Sequence, residues 1–253
     1  MRNKTVIVVV IFALVAALVL TWMLVKNRKV STGDVGETPI DVDELKIQFE
    51  QGFLNQDNAW VSDMYHIEEE KSGAYLINAD IPFVHISDEI DAKINKEIND
   101  IFCDKIVKTV NGSEKYTVIK MSYSSSVSNN IFSMAVKFVL KEGNTPQRTI
   151  IKTYNYDILN DKEITISDVV SNDKKNEIQT LINEKIASEI KREESIVEIT
   201  GKDYNLYRRN PEDKMYLIDN VSEYYTKENI LYIIYSYGNS NYTSEVDLVI
   251  TKL

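Results

Sequence analysis

The feature that most constrains this chain is an uninterrupted apolar run, Val6 to Val25, with no charge, proline or glycine in it. A helix of this length rises about 30 Å at 1.5 Å per residue, which is the hydrocarbon thickness of a bilayer. Core helices seldom stay apolar on every face for so long. Trp22 lies near the end of the run, where an indole sits well at the headgroup level. A secretory signal peptide has a shorter apolar region followed by a small-x-small cleavage site. Here Ala13, Ala16 and Ala17 fall mid-run, and the run closes on Trp22 to Val25 and a basic cluster. The pattern therefore predicts an uncleaved transmembrane helix at 6–25, inserted in the lipid bilayer, behind a cytoplasmic tail at 1–5. Arg2, Lys4 and the terminal amine on one side nearly balance Lys26, Arg28 and Lys29 on the other, so flanking charge decides little about sidedness. The short leading tail and the long following chain place the C-terminal domain outside: a single-pass cell-membrane protein with an extracytoplasmic domain.

All 39 acidic residues follow the anchor, whereas five of the 29 basic ones (Arg2, Lys4, Lys26, Arg28, Lys29) lie in or beside it. The part beyond the anchor is thus more acidic than the chain's net charge of −10. Such a body is repelled by nucleic acid and attracts cationic partners, although the same charge also serves plain solubility. The single cysteine, Cys103, excludes an internal disulfide. An exported protein without disulfides points to a bacterial envelope, Gram-positive in particular. The remaining length supports one sizeable core or two small lobes.

Residues 26–73 read as a juxtamembrane stalk with a weak helix. Val30 to Pro39 is polar and rich in turn formers, and Asp41 to Leu54 places Leu45, Phe49 and Phe53 at i, i+4, i+8, with Gly52 inside. Residues 74–253 read as the domain. Tyr75 to Phe83 alternates as a strand. Ser87, followed by Asp88 and Glu89, starts a helix with Ile90, Ile94, Ile98, Ile101 and Phe102 on its stripe, ending near Val110. Tyr116–Val127, Ile131–Glu142 and Thr149–Leu159 read as strands, the first two joined through Ser128-Asn129-Asn130. On the middle strand Phe132, Met134, Val136, Phe138 and Leu140 share one face, and Ser133, Ala135 and Lys137 share a wetter one. A second helix, capped at Ser167 or Asn172, carries Ile178, Leu181, Ile182, Ile186 and Ile190; Ser195 to Glu212 is polar and irregular. Tyr224-Tyr225, a Lys227-Glu228-Asn229 turn, the strand Ile230–Tyr237, a Gly238-Asn239 turn and the strand Glu245–Thr251 close the chain. The fold class is α+β: an antiparallel sheet with two packed amphipathic helices, preceded by the transmembrane helix.

The run Lys152-Thr153-Tyr154-Asn155-Tyr156-Asp157, then Lys162-Glu163-Ile164-Thr165-Ile166-Ser167-Asp168-Val169, carries a family likeness. It resembles the extracytoplasmic domain shared by the lysozyme-binding anti-sigma-V receptor and the membrane-anchored peptidoglycan N-acetylglucosamine deacetylases of Gram-positive bacteria. Tyr224-Tyr225-Thr226-Lys227-Glu228-Asn229-Ile230 is similar to that family's late strand pair. The likeness spans about Ala74 to Leu253. It implies the fold and the compartment, and carries over no activity. Gly143-Asn144-Thr145-Pro146-Gln147-Arg148 departs from the family's histidine-bearing loop. The few residues before the anchor predict no cytoplasmic sigma-binding segment, and the chain leaves no room for a fused catalytic domain.

Catalytic constellations are not legible. His66 and His85 have no ligand spacing, Cys103 has no histidine partner at motif spacing, and no glycine-rich phosphate loop occurs. Carboxylates come in runs (Glu68-Glu69-Glu70, Asp88-Glu89, Glu193-Glu194) that read as solvated faces, and the turn Asp157 to Glu163 lacks the alternating ligands of a calcium loop. No catalytic residue, metal ligand or cofactor is assigned. The 15 tyrosines stand out. Tyrosine is a good strand former, and it also offers a flat face with a hydroxyl to sugars or protein partners. Tyr204, Tyr207 and Tyr242, in loops, are the ligand-binding candidates. The sequence thus favours a non-catalytic binding module of the envelope, its ligand a cationic protein such as lysozyme or a wall glycan. A wall-modifying enzyme or enzyme subunit with an unrecognised carboxylate site, and a structural accessory protein of an envelope complex, stand as alternatives.

Overall fold

Alternating apolar residues and tight turns build two sheets in succession. The computed structural model describes residues 60–201 and 207–253; the apolar run at 6–25, the expected stalk and the expected helix at 41–54 lie outside the described residues. Among the described residues no helix is long and apolar enough to cross a membrane. The first elements are β1 (Val61–Lys71), β2 (Tyr75–Val84), α1 (Asp88–Ile98), a π-helical turn (Asn99–Cys103) and α2 (Asp104–Gly112). Then come β3 (Thr117–Ser128), β4 (Ile131–Glu142), β5 (Arg148–Asp157), β6 (Lys162–Glu163), α3 (Ile166–Val169) and α4 (Asn172–Thr200). Strands β7 (Tyr224–Lys227), β8 (Ile230–Ser236) and β9 (Val246–Lys252) follow.

Strands β1 to β6 form one sheet in sequential order and β7 to β9 a second. The architecture is α+β and largely antiparallel, with two differences from the sequence reading. First, β2 and β3 run parallel, in register from Tyr75↔Thr117 to Ala79↔Met121. The α1–α2 helix between them returns the chain to the end it left, and only a crossover of this length permits that pairing. Second, there are two sheets, each with its own helix, instead of one sheet carrying both. Ser133 and Ala135, expected on a wetter face, are fully buried because the second sheet lies on them. Residues 61–71, placed within the juxtamembrane region, form the edge strand β1. Its run Glu68-Glu69-Glu70 faces solvent, which hides the alternation and suits an unpaired edge.

Three apolar layers result. Ile94, Ile98, Phe102 and Ile106 of the first helix bury against Ile119, Met121, Phe132, Met134 and Phe138, with the Phe102 and Phe138 rings 5.2 Å apart. Burying each such side chain contributes about 1.5–3 kcal/mol. Between the sheets lie Ala135, Ile151, Tyr225, Tyr232, Ile234, Leu248 and Ile250. On the far side Ile178, Ile182 and Ile186 of α4 cover Leu231, Ile233 and Val249. The helix caps differ in detail from expectation. Ser87 holds the N-cap position of α1 without a side-chain bond, and the Asp91 carboxylate instead accepts from the Ile86 and Ser87 amides. Helix α4 runs on through Ser195 to Thr200, where Gly201 at φ 61° stops it. The expected turns at Asn129-Asn130 and Glu228-Asn229 are two-residue connections with positive φ at every position, the conformation hairpins favour.

The sheets are joined by side chains. Strand β6 pairs only with Tyr156 and Asp157, which leaves most of the outer edge of β5 open. Glu223 accepts from the Thr153 amide at 2.7 Å and its hydroxyl at 3.0 Å, and pairs with Lys152 at 3.0 Å. Asn239 bridges the Ile151 amide and carbonyl at 2.9 and 2.8 Å. In return, Ser133 Oγ accepts from the Thr226 amide, Thr153 Oγ1 accepts from the Tyr224 amide, and Asn155 donates to the Tyr224 carbonyl.

Removing the buried Glu223 carboxylate in Glu223→Ala leaves the half-buried Thr153 amide and the Lys152 charge without this acceptor, and should cost about 3 kcal/mol, read as a lower urea midpoint. A pH effect follows from Glu189 on α4. Burial works against its charge, but Lys185 and Arg192, each 2.5 Å away, outweigh that and lower its pKa to about 2. Because the folded value lies below the unfolded value of about 4.3, its contribution is complete above that pH and is lost as pH falls towards the folded value. Unfolding free energies measured across that window should fall less steeply for Glu189→Gln than for the native chain.

Candidate functional site

The second sheet covers only part of the first, and its free strand β9 leaves a cleft of about 310 Å³ against β4 and β5. Val139, Ile151, Val246 and Leu248 provide apolar walls, and Lys137, Gln147, Thr149 and Ser244 provide polar groups. None of these lining residues is a carboxylate. The alternation of strand side chains creates this mixture, since Lys137 and Val139 of β4, Thr149 and Ile151 of β5, and Val246 and Leu248 of β9 are each two residues apart and share one face.

The connection from β8 to β9 borders the cleft and is fastened to β5. The Ser236 hydroxyl donates to the Thr149 carbonyl at 2.9 Å, and the Thr149 amide donates to the Thr243 carbonyl at 3.0 Å. Gly238 makes the approach possible, because a Cβ there would run into the Thr149 carbonyl. Arg148 then donates to the carbonyls of Gly238 at 2.5 Å and Asn239 at 2.9 Å. The same guanidinium lies 5.5 Å from the centre of the Tyr242 ring. Tyr242 is 71% exposed, so a cation braces one aromatic ring in solvent, two residues before Ser244 of the cleft wall.

The three candidate tyrosines thus separate. Tyr242 is the exposed ring just described. Tyr204 lies outside the described residues. Tyr207 turns inward: its ring stacks on Tyr237 at 4.0 Å and 18°, its amide donates to Glu245 at 2.6 Å, and burial raises its pKa. That stack belongs to a polar cluster on the α4 side of the second sheet. There Arg209, with its side chain 1% exposed, makes a two-point contact with Asp247 at 2.6 and 2.8 Å and also meets Glu193 and Glu245. Tyr237 donates to Asp247 at 2.5 Å, and the Tyr216 and Tyr237 hydroxyls are 2.9 Å apart. The cluster ties α4, the residues after it and β9 together, and it engages Tyr207 as a structural ring.

Lys137, Gln147, Arg148 and Ser244 were not singled out from sequence. They meet across separations such as the 90 residues between Arg148 and Gly238, which no local pattern signals. The histidines do not converge. His66 pairs with Asp80 at 2.5 Å, and that bond raises its pKa; His85 meets Ser62 at 3.1 Å, several residue pairs away along the β1–β2 ribbon. Among the described residues no group of three or more His, Cys, Asp or Glu is placed to hold a metal. Asp157 of the acidic turn is engaged by the amides of Leu159 and Asn160 and by the Asn160 side chain. Cys103 is half-buried and its pKa is raised by burial, which keeps the thiol protonated.

No protein-family model and no curated protein matches the sequence. Among solved structures the chain is similar to a DUF3298 family protein from Pseudomonas aeruginosa PAO1, at 10% identity and a TM-score of 0.42, over 76% of this chain and 88% of that one. It is also similar to a DUF3298 family member from Bacteroides fragilis NCTC 9343, at 10% identity and a TM-score of 0.35, over 71% of this chain and 80% of that one. Likenesses this distant say nothing of ligand or activity.

Proposed function

We propose that this chain is a membrane-anchored, extracytoplasmic, non-catalytic binding module of the bacterial cell envelope, and that the cleft lined by the β8–β9 connection, together with Tyr242 on that connection, takes a wall glycan. The observation that carries this reading is the exposed Tyr242 ring, braced by Arg148 and carried on the same β8–β9 connection whose Ser244 lines a cleft of mixed apolar and hydrogen-bonding walls. A sugar ring presents an apolar face of C–H groups and an edge of hydroxyls. An aromatic plane answers the first and amide, hydroxyl and ammonium groups answer the second. A paired-carboxylate hydrolysis would need two acids flanking the glycan, and the described residues lining this cleft include none. The placement outside the membrane rests on the apolar run and the family resemblance.

The exposed acids Glu68-Glu69-Glu70 on the edge strand β1 favour a second reading, in which the ligand is a cationic protein such as lysozyme drawn by charge. The readings separate in co-sedimentation of the full chain, in detergent, with purified insoluble peptidoglycan. Under the glycan reading the native chain sediments with the polymer and Tyr242→Ala weakens binding about tenfold, while far-ultraviolet circular dichroism stays unchanged. Equal sedimentation of the two proteins, or none of either, overturns it. Retention on immobilised lysozyme that fades as salt rises, with no response to peptidoglycan, supports the second reading.

A further inference from the structure

A second, more apolar opening lies on the helix side of the first sheet, between the β1–β2 ribbon and the first helix. It is a groove of about 550 Å³, lined by Met64, Tyr65, Phe83, Ile98, Cys103 and Val107 among others. Met64, Tyr65 and Val107 are 49%, 60% and 55% exposed, so three large apolar side chains meet water together on the rim of one groove. Apolar surface gathered in this way marks a contact site. The π-helical turn at Asn99–Cys103 forms part of its helical wall.

We propose that the groove is the seat of this chain's own segment Asp41–Leu54, which docks there through Leu45, Phe49 and Phe53. This goes beyond the glycan reading and stands or falls without it. Three observations favour this occupant. The first is shape: a helical i, i+4, i+8 stripe is about 12 Å long, and the groove follows the helix wall from Asn95 to Val107, about 18 Å. The second is reach. The chain enters the fold at Trp60, whose side chain packs on the first core and whose carbonyl accepts from the His85 amide at 2.8 Å. Met64 and Tyr65 on the groove rim are only a few residues further on, and the six residues from Leu54 to Trp60 span up to about 20 Å, enough to turn back onto the groove. The third is concentration. A segment joined by so short a connection is held at roughly millimolar effective concentration, well above any second copy of the chain in dilute solution. The stalk residues Val30 to Pro39 carry no comparable apolar stripe.

Cys103 makes the test specific, since it is the only thiol in the chain and it lines the groove. The full chain is reconstituted in lipid nanodiscs with single substitutions Leu45→Cys, Phe49→Cys or Phe53→Cys on the stripe, and Gln51→Cys on the opposite face as control. Docking predicts that mild oxidation gives an intramolecular disulfide to Cys103 from at least one stripe position and not from residue 51, because the bond needs Cα atoms within about 7 Å. In the otherwise native chain, Phe49→Asp with Phe53→Asp should raise the rate of maleimide addition to Cys103 at least about fivefold, with the cooperative thermal transition retained. No stripe position cross-linking above the Gln51→Cys control overturns the proposal. So does an unchanged alkylation rate in the folded double variant. A disulfide that forms only between two chains assigns the groove to a second copy and overturns it as well.

Discussion

Strand β5 sets the constraint on which the rest of the fold depends, because its outer edge has almost no strand to pair with. An open edge buried beneath another layer would strand backbone amides and carbonyls at a cost of about 1–3 kcal/mol each. The solution is reciprocal. Thr149, Ile151 and Thr153 on β5 are met in turn by groups of the β8–β9 connection and by Glu223, while Tyr224 and Thr226 on β7 are met by side chains of Thr153, Asn155, Ser133 and Ser126. Each sheet thus supplies the polar partners the other lacks. The inter-sheet apolar layer around Ala135, Tyr232 and Ile250 can then close dry.

The same lacing positions the candidate site. Asn239, Gly238 and Ser236 hold the β8–β9 connection against β5, and Arg148, fixed by two carbonyls of that connection, is thereby set beside Tyr242. An exposed aromatic on an otherwise untethered loop would lose rotamer and backbone freedom on binding. A ring braced from below by a fixed cation loses less. On the other side of the second sheet, Arg209 and its three acidic neighbours hold the residues that follow α4 against β9, and Tyr207 is drawn into that assembly.

Much of the secondary structure was legible locally. The isoleucine stripes of both helices, the hairpin turns at Asn129-Asn130 and Glu228-Asn229, and the bounds of β3, β4 and β5 all follow from periodicity and turn chemistry. What was not legible is set by distant partners. Ser133 and Ala135 are polar or small, so nothing local says that a second sheet will cover them; their burial is decided by Thr226 and Tyr225, about ninety residues on. The acid run of β1 obscured a strand because its inward residues are few. The serines of β3 and β4 that cap β7 resemble ordinary solvent-facing strand residues. Of the tyrosines, Tyr242 stayed exposed as its loop position suggested, but Tyr207 sits equally in a loop and is turned inward by Tyr237 and Glu245.

The edge position of β1 has a mechanical side. Its first residue, Val61, pairs with Val84 at the open mouth of the β1–β2 hairpin, and the pairs then run inward to Lys71 and Tyr75 at the closed end. Any tension on the chain preceding Val61 therefore loads the ladder at its mouth, one rung at a time, and does not shear all its hydrogen bonds together. A strand peeled from that end gives up its rungs in sequence, while β3, β4 and β5 keep their mutual pairing as the hairpin opens. The fold is thus softest where the polypeptide arrives and stiffest where the two sheets are laced.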